Sequence, residues 1–122
     1  MILAIGGDWV DIQLKRGLTE ICVLTMLGKG DSYGYSLAKD AARLMPLSES
    51  TLYPVLKRLQ EAGAVETYST EFNGRLRHYY RITALGRKQL SDFVLEWEAL
   101  GRIYEEAVKV LGNEQIQGGT QG

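Results

Sequence analysis

The chain has 122 residues, 45% of them apolar and 24% charged, with a net charge of −1; that is room for one globular domain and too little for a TIM barrel or a complete dinucleotide-binding enzyme. One cysteine, Cys22, excludes an intramolecular disulfide framework, and one histidine, His78, leaves no Cys/His cluster to cage a metal. No apolar run approaches the ~20 residues of a membrane helix, and the N-terminal stretch lacks the basic start of a secretory signal, so a cytoplasmic protein with no membrane partner is expected.

From Trp9 to Leu27 the chain reads as a helix, with Leu14, Leu18, Ile21 and Thr25 at helical spacing and the stretch from Ile21 to Leu27 apolar nearly all round. Gly28, Gly30 and Asp31 end it. Ser32 is expected to cap a second helix, Tyr33 to Leu44, whose stripe is Tyr35, Leu37, Ala38, Ala41 and Leu44. Ser48 opens a third helix running to Ala62, with the stripe Leu52, Val55, Leu56, Leu59 and Ala62 and a stop at Gly63. Pro54 conflicts with that helix, because a proline inside removes a backbone bond at a cost of up to ~3 kcal/mol.

Val65 to Glu71 and Leu76 to Thr83 alternate with period two around Phe72-Asn73-Gly74-Arg75, a strong hairpin signal. Leu76, His78, Tyr80 and Ile82 share the face expected to point inward; Arg75, Arg77, Tyr79 and Arg81 share the other. Thr83 caps a last helix, Ala84 to Leu111, in which Leu90, Phe93, Trp97, Leu100, Tyr104, Ala107 and Leu111 form an apolar heptad seam widened by Val94, Ile103 and Val108. The Gly/Gln-rich stretch 112–122 is expected to be disordered.

The fold class that follows is mainly α with a small β-hairpin: a winged helix-turn-helix over residues 9–83, a dimerisation helix over 84–111, and the tail. In such a module the third helix enters the major groove and the hairpin reaches flanking backbone or minor groove. A seam that long needs a partner, and a second copy of the chain is the simplest one; a two-fold dimer then matches a palindromic operator in double-stranded DNA. Charge is distributed accordingly. Residues 13–88 hold twelve Lys/Arg against seven Asp/Glu, whereas residues 89–122 hold two against six.

Three stretches carry a family resemblance. Thr51-Leu52-Tyr53-Pro54-Val55-Leu56-Lys57-Arg58-Leu59, closed by Glu61-Ala62-Gly63, is similar to the recognition-helix signature of PadR-family transcriptional regulators. Gly30-Asp31-Ser32-Tyr33-Gly34-Tyr35 resembles the segment before it, and Arg77-His78-Tyr79-Tyr80-Arg81-Ile82-Thr83 with Gly86 resembles the second wing strand and the start of the dimer helix. The resemblance covers residues 11–111 and is closest to the short subfamily, with one C-terminal helix per protomer. It implies a homodimeric, ligand-responsive repressor, and it keeps Pro54 inside the helix.

Candidate DNA contacts fall in three groups. Glu49, Ser50, Thr51, Tyr53, Lys57 and Arg58 lie off the apolar stripe of the third helix, where hydroxyls and cations meet phosphates and base edges. Asn73, Gly74, Arg75 and Arg77 form a wing tip suited to phosphates or a narrow minor groove. Ser32, Tyr33 and Tyr35 belong to the start of the second helix, where exposed N–H groups favour a phosphate, with Lys39 a later turn on; core packing of at least one tyrosine there, Tyr35 foremost, is the equal alternative. Trp97, mid-seam, either packs solid or lines a pocket for a small aromatic or hydrophobic effector of the kind the resemblance implies; Trp9 is a weaker candidate for that pocket. Cys22 reads as an inert core residue, and His78, on the inward strand face, as a packed or hydrogen-bonded histidine and not a ligand. No nucleophile–base pair, phosphate loop or metal cluster appears, so neither an enzyme nor a cofactor is expected. The competing function is a winged helix that binds proteins and no DNA, which the acidic last helix favours.

Overall fold

Near-continuous apolarity makes the second half of the first helix, α1 (Trp9–Lys29), the centre of the core. The computed structural model describes the backbone from Trp9 to Gln121 and side chains from Leu14 to Glu114. Cys22, Val23, Leu24 and Leu27 are buried there, whereas Leu14 is exposed and Leu18 only half-buried, so the buried stripe differs from the expected one at its start. Thr19, buried as well, donates its hydroxyl to the Lys15 carbonyl at 2.7 Å, which satisfies it without a partner from another element.

The chain then departs from the sequence reading. Ser32 caps nothing: Ser32–Tyr33 form a short strand, β1, antiparallel to the hairpin, with Ser32 opposite Tyr80 and Tyr33 opposite Tyr79. Helix α2 (Gly34–Ala41) starts after it, with Tyr33 at the cap position and no side-chain cap bond. It also stops at Ala41, so Leu44 lies outside it and is exposed. Backbone pairing to the sheet outcompetes a serine cap, because it ties up two residues at once.

Helix α3 (Glu49–Glu61) follows the expected boundaries to within a residue. Thr51 N–H donates to the Ser48 hydroxyl at 3.3 Å. At the other end Ala64 N–H bonds the Leu59 carbonyl and Gly63 N–H the Gln60 carbonyl, with Gly63 at φ 80°, a Schellman closure. Pro54 stays inside the helix. The N–H it lacks would have met the Ser50 carbonyl, and Ser50 is exposed, so water can serve that carbonyl and the penalty of a buried orphan does not arise. Leu52, Val55, Leu56 and Leu59 are buried; Ala62 is exposed and Ala64 takes its place in the core.

Strands β2 (Val65–Phe72) and β3 (Arg75–Ile82) pair from Val65–Ile82 to Phe72–Arg75 in a sheet of order β1-β3-β2. Asn73 and Gly74 both have positive φ, 51° and 77°, as a two-residue type I′ turn requires. Only the base of β3 faces the core: Ile82 is buried and Tyr80 packs against the cluster. Leu76 is 72% exposed and His78 is exposed with its Nδ1 sharing a hydrogen bond with Ser69 Oγ at 2.8 Å, so neither is a core residue. There the inner face of the hairpin borders an open cleft toward Tyr53 of α3 and packs on no core residue.

Helix α4 (Ala84–Gln121) begins as expected: Gly86 N–H donates to Thr83 Oγ1, and Thr83 Oγ1 in turn donates to the Gly63 carbonyl. The first compact unit extends past Thr83 through Leu90, which packs against the core and is therefore no free member of the seam. From Ser91 onward α4 forms a second unit. Its helical backbone continues over 112–121, where the sequence composition suggested disorder; once nucleated, a helix gains a bond per residue and carries weak formers along.

Candidate nucleic-acid interface

Helical periodicity divides α3 into a buried face and three outward aspects. Ser50, Pro54 and Lys57 lie opposite the buried leucines and are exposed. Thr51 and Arg58 lie on the flank toward α1, and Tyr53 on the flank toward α2. At the N-terminus the Ser48 hydroxyl shares hydrogen bonds with Ser50 Oγ at 2.9 Å and Thr51 Oγ1 at 3.1 Å, an exposed hydroxyl cluster with Glu49 beside it. Such groups can exchange each other for a phosphate oxygen at small cost.

The structure separates Lys57 from Arg58. Lys57 is exposed, whereas Arg58 Nε donates to Glu20 Oε1 at 3.0 Å, both side chains 32% exposed. Arg58 thus braces α3 against α1, and its charge is neutralised in place. Tyr53 is also partly committed. The hydroxyl end of its ring lies against Gly34, where an added Cβ would overlap the hydroxyl and sit 2.9 Å from Cζ. Tyr53 and Tyr80 line one cleft, and burial, followed by the neighbouring Tyr53, raises the Tyr80 phenol above its ordinary range.

On the wing, Asn73, Gly74 and Arg75 are exposed as expected. Arg77 is half-buried between two rings, Cζ lying 4.1 Å from the Tyr33 centroid and 4.0 Å from that of Phe72. Tyr33 meets the edge of Tyr79 at 5.6 Å, and Tyr79 stacks on Tyr68 at 5.5 Å and 13°. The Tyr33 ring is therefore committed to the sheet face, although its backbone occupies the cap position of α2. Tyr35, expected in the core, is 62% exposed, and Lys39 is exposed on the last turn of α2. A cleft of about 340 Å³ runs between α3 and the part of β3 that β1 leaves unpaired, lined among others by Tyr35, Tyr53, Leu76 and Arg77.

Sequence reasoning missed the polar network at the base of the sheet. Asp31 Oδ2 accepts from the Tyr68 hydroxyl at 2.7 Å and from Arg81 Nε at 3.3 Å, and Arg81 Nη1 donates to Glu66 Oε1 at 3.3 Å. The bond to Asp31 raises the Tyr68 phenol, and the same carboxylate, followed by Glu66, raises the Arg81 guanidinium. One of these three bonds was available from the turn: placing Asn73-Gly74 fixes Glu66 opposite Arg81.

In the second unit, Phe93 and Trp97 rings lie 5.4 Å apart, and Trp97, Leu100, Tyr104 and Leu111 are exposed along α4 with Val94, Ile103 and Val108. Ala107 is exposed too. The side chain of Trp9 lies outside the described residues. Among those residues no helix is long and apolar enough to cross a membrane, and no group of His, Cys, Asp and Glu could hold a metal ion.

Three helices, the third capped and exposed along one face, followed by a two-stranded wing and a long helix, define a winged helix-turn-helix protein. The match to the transcriptional regulator PadR-like family model extends over residues 23–92. The chain is 33% identical over 98 residues to an uncharacterised Lysinibacillus sphaericus protein, covering 76% of this chain and 90% of the relative. It is 28% identical over 109 residues to a transcriptional regulator of Mycobacterium tuberculosis, covering 88% and 96%. Among solved structures, a PadR-like transcription factor of Bacteroides fragilis superposes with a TM-score of 0.71 at 27% identity, covering 81% of this chain and 98% of that one. A Streptococcus mutans protein does so at 0.69 and 37%, covering 77% and 89%. The chain belongs to the PadR-like family; it is a transcriptional regulator and not an enzyme.

Proposed function

We propose that this regulator acts as a homodimer that occupies a palindromic operator and represses transcription, releasing or tightening in response to a small aromatic or hydrophobic effector. The observation that carries the DNA contact is the exposed face of α3, with Ser50 and Lys57 outward beside a wing tip bearing Arg75. Thr51, Glu49 and the edge of Tyr53 supply shorter-range contacts, while Ser32, Lys39, Asn73 and Gly74 flank them toward the backbone. Arg58, held by Glu20, serves the fold first.

The dimer reading is supported by the apolar stripe of α4 from Phe93 to Leu111, in which Trp97, Leu100, Tyr104 and Leu111 are exposed. Solvated alone, such a stripe would be an association hazard; against its own copy it becomes a heptad interface. Trp97, 39% exposed and in contact with Phe93, is the aromatic wall for an effector between protomers. Differential affinity for two spacings of the α3 helices would couple effector to DNA. With no membrane-length helix among the described residues, the cytoplasm is the proposed compartment.

The test is a titration of the purified protein against the duplex upstream of its own gene and a scrambled duplex at two salt concentrations. A gap of ~10³-fold or more between the duplexes, with affinity falling as salt rises, supports the reading. Equal weak binding to both, repeated with duplexes selected from a random pool, would favour a protein partner for the winged helix instead.

A further inference from the structure

We propose that Tyr33 and Phe72 are positioning residues that hold the Arg77 guanidinium as a preset nucleic-acid contact on the wing, a role that rests on the DNA-binding reading above. The two rings come from β1 and β2, the strands on either side of β3, and both lie within about 4 Å of the same guanidinium carbon. Both rings engage the guanidinium through its cationic carbon. Such a contact uses none of the N–H donors, which leaves them available to a phosphate or base edge.

The cations of this surface are treated differently by the fold. Arg58 and Arg81 are each held by carboxylates, Glu20 for the first and Asp31 with Glu66 for the second. Among the described residues no carboxylate pairs with Arg77; rings alone hold it, so its charge is kept while its geometry is restricted. The clamp is itself braced, since Tyr33 meets Tyr79 edge-on and Tyr79 stacks on Tyr68. Arg77 also borders the cleft that Tyr53 of α3 lines, so the clamped cation and the exposed helix share one surface. An unclamped arginine must lose rotamer freedom on binding, and the two rings remove much of that loss beforehand.

The experiment uses the full chain and the tightest-binding duplex recovered from a random pool, with affinities measured over a salt series. Arg77→Met is expected to weaken binding and to shrink the log–log salt slope by about 0.9 per protomer, the signature of one lost phosphate contact. Phe72→Leu keeps the charge, so the slope stays while affinity falls roughly fivefold. In the Arg77→Met background Phe72→Leu is expected to change nothing further, and Phe72→Tyr, which restores a ring, to bind as the parent does. Tyr33→Leu removes the other face of the clamp and repeats the comparison should Phe72→Leu unfold the wing, which hydrogen exchange of the hairpin amides reports. Equal losses from Phe72→Leu and Tyr33→Leu with and without Arg77 would overturn the proposal, because the rings would then act on their own. So would an Arg77→Met protein with unchanged affinity and slope. A parent chain that binds no duplex above the scrambled control would remove the DNA reading and this proposal together.

Discussion

Charging the middle of the α4 stripe offers the sharpest test of the dimer. Trp97 is 39% exposed and Leu100 50%, and Val94, Ile103, Tyr104, Val108 and Leu111 are comparably open. Completing the burial of a half-exposed large apolar side chain contributes roughly 1 kcal/mol. Summed over both protomers, these residues supply on the order of 14 kcal/mol against an association cost of ~4–15 kcal/mol. A dimer of that kind is stable without much surplus. Replacing Trp97 and Leu100 by glutamate removes ~4 kcal/mol of burial across the two-fold and adds buried carboxylates, each costing several kcal/mol more. Dissociation should therefore strengthen by ~10³-fold or more. Sedimentation equilibrium over a concentration series would measure it, with circular dichroism confirming that α4 remains helical. A helical double variant that dimerises as tightly as the parent would refute the stripe as the interface.

Three further outcomes follow from the first unit. Gly34→Ala pushes the hydroxyl end of Tyr53 off α2, and because that ring is 46% exposed and free to swing, the cost in urea unfolding should stay below ~1 kcal/mol; a loss of several kcal/mol would show that the ring is fixed in place. Gly74→Val puts a β-branched residue at φ 77°, so the hairpin should lose ~1–2 kcal/mol, seen as faster exchange of β2 and β3 amides while α1 amides hold. The Tyr68 phenol is raised by its bond to Asp31, so its folded pKa lies above the unfolded one; the bond supports the fold at neutral pH and is lost as pH climbs through the phenol range. Phenolate absorbance should show two late-ionising tyrosines, Tyr68 and Tyr80, and Asp31→Ala should move only the first back toward the ordinary range.

Most of the architecture could be read from period and punctuation. The stripe Leu52, Val55, Leu56, Leu59 and the Asn73-Gly74 turn each have one favourable geometry, and both appear where expected. The failures share a cause: a local rule was applied where a tertiary alternative was stronger. Ser32 has a capping residue's chemistry but finds a strand partner in Tyr80. His78 and Leu76 alternate correctly, yet the hairpin outruns the core that alternation presupposes. Leu90 fits the heptad and is taken by the winged helix. Arg58 matched a cation pattern, and nothing local could reveal Glu20, thirty-eight positions earlier, as its partner.

That last point changes what the basic segment can do. Lys57, Arg58, Arg75, Arg77 and Arg81 all lie on α3 or the wing, and a charge count treats them alike. The structure does not, because Arg58 and Arg81 already have carboxylates at 3.0–3.3 Å. A cation that must first abandon its partner releases few DNA counterions in net terms, since the freed carboxylate repels the same phosphates. Salt dependence should therefore distinguish the two kinds. Arg75→Met is expected to reduce the slope by about 0.9 per protomer, whereas Arg81→Met should leave it nearly unchanged and act through the wing's stability. Glu20→Gln should steepen the slope by releasing Arg58, at a cost of about 0.5 kcal/mol in fold stability. Equal slope losses from Arg75→Met and Arg81→Met would mean that both bonds open on DNA, and that the paired arginines are contacts held in reserve.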